Sequence, residues 1–394
     1  HASQAMIKKE MYKSGLALIE SEGLAMTQCT RSKIVSGVMP VFVLSALFLL
    51  PSTGATNESC EATNDYEFIC NIPSAEDLLR IGNSNIVITG GMGRPDWSHG
   101  GFSFVDVTTR AHYEASPDFA SAAIDLYRSC PGAPDPSKFS VHGISLRSDD
   151  ENEYTVYAVN HGGRESVEVF NLSLQGERPS LRWQGCVILP GGLAANSVTY
   201  LADNALAVTA NPQLNESFES EALSSASQAA DTGGVYEWRL TDGWKMVPNS
   251  EVSVANGILA SADNEWLYVV GWANGVIRKI NRFKPSTPTS ETKTRFLVDN
   301  LRYLPDGRIL ATGQRTTPVQ LLQDCVLTSV PVCRVDTVVA LLDPKTMTHE
   351  EVAEIPASKE FGSGTAAISI GGELWVGTFR GTRIAIVKKP LDRI

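Results

Sequence analysis

The sequence predicts an all-β fold, a six-bladed β-propeller, from two observations. Helical periodicity is scarce past the N-terminal region, and short alternating segments rich in Val, Ile, Tyr and Trp are closed by Gly, Asn, Asp or Pro. In addition, one pattern of a strand, a turn and a stronger strand restarts six times, at spacings of roughly 43 to 67 residues. A repeat of this size with several strands is typical of a propeller blade, whereas a sandwich or jelly roll rarely restarts one motif so regularly.

The six repeats begin near residues 75, 142, 195, 255, 299 and 364. In chain order they start with "AEDLLRIGNSNIVITG", "HGISLRSDDENEYTVYAVN", "ANSVTYLADNALAVTAN", "ANGILASADNEWLYVVG", "DNLRYLPDGRILATG" and "GTAAISIGGELWVGT". The fifth has an irregularity, because "TRFLV" is interpreted as a strand that stops at Asp299 and Asn300, well before the turn "PDG". In a propeller the innermost strand of each blade lines the central channel, so residues at the starts of these strands should meet at one mouth of it.

Polar side chains occur at these strand starts. They are Glu76, Asp77, His142, Asn196, Asn256, Asp299 and Asn300. Carboxylate and amide oxygens are the ligands that calcium prefers, whereas zinc would require His or Cys. Asp and Asn at a strand start are often only turn formers that bond nearby backbone. Their recurrence at equivalent places in four repeats favours a calcium site.

The N-terminal region predicts export. Arg31 and Lys33 precede an apolar run at 38–50, and small residues follow it, which is the order of a secretory signal. We therefore expect residues 1–55 to form an extension with a signal peptide, and residues 56–394 to form a single propeller domain. The alternative is an uncleaved segment that anchors the protein to a membrane, although the run is short for a span.

The cysteines agree with an oxidising compartment. Cys29 lies in the predicted signal, and six others remain, which could form three disulfides in 15 pairings. Close spacing favours Cys60–Cys70 and Cys325–Cys333, which leaves Cys130–Cys186. Sequons at Asn57, Asn171 and Asn215 predict a glycoprotein.

Several other function classes are disfavoured. The formal net charge of −11 provides no basic stripe for phosphates, which argues against a nucleic-acid-binding protein. The Gly-rich "GGMG" and "GSGTA" precede no helix with a Lys, so a phosphate-cradling loop is not expected. No G-x-S-x-G nucleophile elbow occurs.

Seven motifs occur in order over roughly residues 70 to 388. They are "SAEDLLRI", "VHGISL", "VYAVNHGGRESVEVFNL", "NSVTYLADNALAVTAN", "ANGILAS", "LVDNLRYLPDG" and "GTAAISIGGELWVGT". Together they resemble the serum paraoxonase/arylesterase family. The family belongs to the calcium-dependent six-bladed propeller hydrolases of the gluconolactonase and senescence-marker-like superfamily. The resemblance implies a calcium-dependent lactonase with aryl-esterase or organophosphatase side activity, and a small-molecule lactone or ester substrate.

The resemblance also implies roles for particular residues. A catalytic calcium would be held by Glu76, Asn196, Asn256, Asp299 and Asn300. A second, structural calcium would be held by Asp77 and the backbone carbonyl of Ile144. His142 and His161 match a histidine pair that activates water, which suits an imidazole with a pKa near neutrality.

At two positions the sequence departs from the family pattern. Ser197 stands where the family has an Asp next to the first Asn ligand, so the second calcium site lacks one carboxylate. Gln314 stands where the family has another pocket His, and an amide cannot act as a base.

Two alternative functions are also compatible with a propeller. One is a strictosidine-synthase-like condensing enzyme, a class that lacks the full Glu/Asn/Asn/Asp set seen here. The other is a non-catalytic propeller that binds a partner and holds calcium only for structure.

Overall fold

The computed structural model describes residues 60–62, 66–93, 100–213 and 230–387. The chain divides into two units, residues 1–56 and 57–394, and all the described residues belong to the second. The predicted signal segment and the sequons at Asn57 and Asn215 lie outside the described residues. Within the described ranges, no helix is long and apolar enough to cross a membrane.

The second unit is all-β and consists of six four-stranded antiparallel sheets, which are the six blades of a propeller. The first strand of this unit, β1 (Tyr66–Cys70), belongs to the last blade. Blade 1 comprises β2 (Ala75–Arg80), β3 (Ile86–Gly91), β4 (Gly101–Asp106) and β5 (His112–Glu114). Blade 2 comprises β6 (Val141–Asp150), β7 (Glu153–Asn160), β8 (Ser166–Ser173) and β9 (Ser180–Ile188). Blade 3 comprises β10 (Leu193–Tyr200), β11 (Leu206–Pro212), β12 (Gly234–Arg239) and β13 (Gly243–Met246).

The remaining blades follow the same order. Blade 4 comprises β14 (Ala255–Ala260), β15 (Trp266–Gly271), β16 (Val276–Asn281) and β17 (Ser290–Lys293). Blade 5 comprises β18 (Leu297–Tyr303), β19 (Ile309–Gln314), β20 (Thr337–Leu342) and β21 (His349–Ile355). Blade 6 comprises β22 (Gly364–Ile370), β23 (Glu373–Thr378) and β24 (Arg383–Val387). Short helical turns occupy Asp125–Tyr127, Ala202–Asn204, Trp272–Asn274, Pro318–Leu321 and Leu322–Val326.

The sixth blade is completed by β1, which pairs antiparallel with β24. Because an N-terminal strand supplies the outer strand of the last blade, the two ends of the domain are held together and the edge of β24 is covered.

The apolar core is divided into six clusters, and each lies between two neighbouring blades. The cluster between blades 1 and 2, for example, joins Ile88 of β3 to Val156 of β7. Both faces of each blade are therefore buried, which explains the continuous apolar runs in several strands. Polar side chains are left for the channel at the centre.

The three expected disulfides are confirmed. Cys60 pairs with Cys70, Cys130 with Cys186, and Cys325 with Cys333. Asn171 lies on β8, where its side-chain amide donates a hydrogen bond to Glu153 at 2.9 Å. Glycosylation at this sequon stays a prediction.

Candidate functional site

The innermost strand of every blade contains an irregularity in its pairing with the next strand. These irregularities are β-bulges at Ala75/Asp77, Val141/Ile144, Ala195/Val198, Ala255/Ile258, Val298/Leu301 and Gly364/Ala367. A bulge leaves one or two residues out of the pairing ladder and re-aims their side chains. The predicted site residues Glu76, His142, Asn196, Asn256, Asp299 and Asn300 all lie within these bulges.

The bulge in blade 5 corrects one interpretation of the sequence. No strand stops at Asp299 and Asn300, because β18 continues through both residues to Tyr303. The preceding "TRF" belongs to no strand. Polar, unpaired bulge residues resemble a strand end in sequence, which is why the prediction was wrong.

The structure brings most of the predicted residues into contact across the channel. Asn300 donates a hydrogen bond to Oε1 of Glu76 at 2.7 Å, although the two residues are 224 positions apart. Nε2 of His142 lies 3.8 Å from the same carboxylate oxygen and 3.5 Å from the amide nitrogen of Asn196. The amide of Asn256 lies beside the carboxylate of Asp299 and opposes the rise in its pKa. Five blades thus contribute to one polar cluster.

Four side-chain oxygens of this cluster are buried and have no hydrogen-bond partner. They are Oε2 of Glu76 and Oδ1 of Asn196, Asn256 and Asn300. Leaving a buried acceptor without a partner is costly, and native proteins rarely tolerate several together. Carboxylate and amide oxygens in this arrangement fit a hard cation such as calcium. In the described part of the chain, no group of three or more His, Cys, Asp or Glu side chains could hold a metal, so a cation here would depend on the asparagine amides.

Burial and neighbouring negative charges raise the pKa values of the carboxylates in the cluster. Burial raises the pKa of Glu76 well above its usual range, and the charges of Asp77 and Asp299 raise it further. Burial also raises the pKa of Asp299 to about 7. A cation among these carboxylates would relieve both effects.

The two histidines form a relay that ends at a carboxylate. Nδ1 of His142 lies 2.8 Å from Nε2 of His161, and Nδ1 of His161 lies 3.0 Å from both carboxylate oxygens of Glu165. Since the carboxylate can only accept, His161 donates from Nδ1, accepts at Nε2, and therefore receives the proton of His142 Nδ1. This tautomer leaves a lone pair on Nε2 of His142, which faces the cluster.

The environment of His142 keeps this lone pair available. Burial and the neighbouring His161 hold the pKa of His142 far below its usual range, so the ring is neutral at pH 7. Its side chain is still 15% exposed, which allows contact with solvent. Glu165 was not predicted from the sequence. It could have been found as a carboxylate four residues after His161 in a Gly-rich loop.

Gln314 supports the cluster rather than lining a pocket. It is buried, and its amide nitrogen donates to Oδ2 of Asp299 at 2.7 Å and to the carbonyl of Gly364 at 3.1 Å. Its amide oxygen accepts from Nε1 of Trp272 at 3.1 Å. Gln314 therefore fixes one oxygen of Asp299.

The surroundings of Asp77 do not fit the second calcium that the resemblance implied. Both carboxylate oxygens of Asp77 already accept hydrogen bonds, from the backbone of Leu78 and Ile144 and from the side chain of Arg302. The guanidinium of Arg302 also lies 3.4 Å from the carbonyl oxygen of Ile144, the other implied ligand. Arg302 was not predicted from the sequence, because its partners on blade 1, Asp77 and Leu78, lie more than two hundred residues away.

The fold and the site define a six-bladed β-propeller with an oxygen-lined polar cluster at its channel. No family model and no curated protein matches the chain. Solved structures do match. A luciferin-regenerating enzyme is 9% identical with a TM-score of 0.47, covering 82% of this chain and 95% of the other. A calcium-binding protein, regucalcin, from Agrobacterium tumefaciens is 9% identical with a TM-score of 0.48, covering 82% and 93%.

A streptogramin B lyase also matches, at 14% identity and a TM-score of 0.45, covering 83% of this chain and 99% of the other. Identities this low, with these TM-scores, do not assign a family or an activity. The resemblance to the paraoxonase/arylesterase family therefore stays a prediction, and the functional argument depends on the residues of the site.

Proposed function

We propose that this protein is a calcium-dependent hydrolase of the paraoxonase/arylesterase type. Lactones are its main substrates, and aryl esters and organophosphates are secondary ones. The observation that supports this most is the group of four unpartnered buried oxygens, from Glu76, Asn196, Asn256 and Asn300, beside the carboxylate of Asp299. Glu76, Asn196, Asn256, Asp299 and Asn300 would hold the ion.

Calcium bound there would polarise the carbonyl or phosphoryl oxygen of the substrate and stabilise the negative charge that develops on it. The carboxylates of Glu76 and Asp299 match the double charge of the ion. The three asparagines contribute neutral oxygens. Asn300 also fixes the position of Glu76 by a hydrogen bond, and the amide of Asn256 lies beside Asp299.

The chain itself supplies a base for water. Nε2 of His142 carries no proton in the tautomer set by His161 and Glu165, and the amide nitrogen of Asn196 lies 3.5 Å from it. A neutral imidazole can accept a proton from water as the water attacks the substrate. The imidazolium that forms on His142 can pass its Nδ1 proton toward His161, whose own Nδ1–H is held by Glu165. The carboxylate of Glu165 stabilises the positive charge on this pair and keeps the rings oriented, as the third member of a catalytic triad does.

We also propose that the protein acts in the secretory pathway or outside the cell. Three disulfides in one domain are expected in an oxidising compartment. Whether the apolar run at 38–50 is removed or keeps the protein at a membrane stays a prediction.

The test is a panel of lactones, aryl esters and phosphotriesters, each assayed with the calcium-loaded protein and with Asp299→Asn. We expect at least one lactone to be hydrolysed, and the rate to fall by about two orders of magnitude or more in Asp299→Asn, because the site loses a charged ligand. Asp306→Asn is the matched control, since Asp306 is exposed in the turn of the same blade and should leave the rate unchanged. If the calcium-loaded wild-type protein hydrolyses none of the three classes, the proposed function is wrong.

A further inference from the structure

We propose that the guanidinium of Arg302 is a permanent internal cation that takes the place of a structural metal ion in the channel. The chain would then bind one calcium ion rather than two. The count of one depends on the proposed function, whereas the exclusion of an ion beside Asp77 does not.

The position of Arg302 resembles that of a central ion. It lies on β18 in blade 5, it is 5% exposed, and its side chain crosses the channel to blades 1 and 2. Its nitrogens donate to the carboxylate of Asp77 and to the carbonyl of Leu78 on β2, the latter at 3.3 Å, and reach the carbonyl of Ile144 on β6 at 3.4 Å. A fourth bond goes to the carbonyl of Leu301 at 2.7 Å. One cation thus gathers oxygens from three blades, which is what a metal ion at the centre of a propeller would do.

The two adjacent carboxylates of the channel differ in their hydrogen bonds. Glu76 and Asp77 are both fully buried, yet Oε2 of Glu76 has no partner, while both oxygens of Asp77 are occupied. A metal ion could take the free oxygen of Glu76 without breaking a bond. At Asp77 it would have to displace a guanidinium and would then lie beside a positive charge in a medium of low polarity, where repulsion is strong.

The charges in the channel also balance without a second metal ion. A divalent ion between two aspartates is neutral, and a guanidinium paired with one aspartate is also neutral. Ser197 stands where the resemblance implies a second carboxylate; it is fully buried, and its hydroxyl has no partner. A serine at 197 suits the presence of Arg302, since an Asp at 197 together with Arg302 and Asp77 would leave one buried negative charge in excess.

The contacts made by Arg302 should keep part of the channel stable when calcium is removed. A chelator can remove a metal ion but cannot remove an arginine, so the contacts between blades 5, 1 and 2 that pass through Arg302 do not depend on calcium. Loss of calcium should then affect the cluster around Glu76 without opening this part of the channel.

The experiment counts calcium ions in three proteins freed of metal by chelation and gel filtration. These are the wild type, Arg302→Met, and the double variant Asp77→Asn/Arg302→Met. Each is titrated with calcium chloride by isothermal calorimetry, and its melting temperature is recorded with and without calcium. Met keeps the apolar stem of arginine and removes its charge and its donors, while Asn at 77 removes the carboxylate that a second ion would need.

We expect one calcium in the wild type, two in Arg302→Met, and one in the double variant. The melting temperature of Arg302→Met should be lower than that of the wild type without calcium and should rise more on addition of calcium, because the ion refills the position of the guanidinium.

Two ions in the wild type would overturn the inference, and so would the absence of an additional ion in a folded Arg302→Met. If Arg302→Met does not fold, the calcium counts of the wild type and of Arg302→Lys decide the question. Lysine keeps the positive charge, so Arg302→Lys should bind one ion. A wild-type count of zero would contradict the proposed function, and the difference between the wild type and Arg302→Met would still test the role of Arg302.

Discussion

The direction of one lone pair determines what His142 can do. Nε2 of His142 faces Glu76 and Asn196 because the opposite nitrogen is bonded to His161, which is in turn bonded to Glu165. The three residues lie on β6 and on the loop that follows β7, so a single blade supplies the whole relay.

The first prediction concerns His142→Gln. A glutamine has similar length but no basic nitrogen, so we expect kcat for lactone hydrolysis to fall by about two to four orders of magnitude, the usual contribution of general-base catalysis. The dissociation constant for calcium should change only a few-fold, because His142 is not among the proposed oxygen ligands. Steady-state kinetics and a calcium titration measure the two quantities. A wild-type rate in this variant would remove His142 from the role of base.

The second prediction concerns Glu165→Gln. The amide can still accept from Nδ1 of His161 but carries no charge, so we expect kcat to fall by about tenfold or more while KM stays nearly constant. Glu165→Leu should lower kcat further, since it removes the acceptor as well. Glu151→Gln is the control, because Glu151 is exposed in a turn of the same blade. An unchanged kcat in Glu165→Leu would show that the orientation of His161 does not depend on Glu165.

Some residues of the site could be predicted from the sequence, and others could not. Glu76, Asn196, Asn256, Asp299 and Asn300 were found because each begins a repeat. Gln314 and Arg302 were assigned no contacts, because several of their partners come from other repeats and their side-chain directions depend on how the strands bulge.

At the scale of the strand, the bulges direct the side chains of the site residues into the channel. β14 and β18 lie so close at the channel that a Cβ on Gly257 would meet the backbone of Asp299 and Asn300. The glycine after Asn256 is therefore required for two ligand-bearing bulges to approach each other.

The third prediction follows from this approach. Gly257→Ala should separate β14 from β18, which we expect to lower the free energy of unfolding by about 1–3 kcal/mol, as other overpacked substitutions do. It should also weaken calcium binding, because Asn256 and Asp299 would move apart. Gly191→Ala is the control, since a Cβ there meets nothing within 4 Å. Denaturant unfolding and a calcium titration measure both effects, and equal behaviour of the two variants would mean that β14 and β18 can adjust without loss.

At the scale of the whole molecule, the number of blades was predictable and the closure of the ring was not. The six repeats begin within a few residues of β2, β6, β10, β14, β18 and β22. The strand β1, with the sequence "YEFIC", precedes the first repeat and resembles none of the others. Its partner β24 is more than three hundred residues away, and no local pattern in the sequence connects the two.

The fourth prediction concerns two of the three disulfides. Cys130–Cys186 joins residues 56 positions apart, whereas Cys325–Cys333 joins residues 8 apart. Because a longer closed loop removes more entropy from the unfolded chain, we expect Cys130→Ala/Cys186→Ala to cost about 4 kcal/mol and Cys325→Ala/Cys333→Ala about 2.5 kcal/mol. Denaturant unfolding of the two double variants tests the order, and a larger loss in the second would contradict the loop-entropy explanation.

The most direct test of the central claim is lactone hydrolysis measured during removal and return of calcium. We expect activity to fall to background in excess chelator, while the far-ultraviolet circular dichroism of the propeller is retained. Activity should recover on addition of calcium, in proportion to the occupancy of a single site. Undiminished hydrolysis in excess chelator would contradict a calcium-dependent mechanism at Glu76, Asn196, Asn256, Asp299 and Asn300.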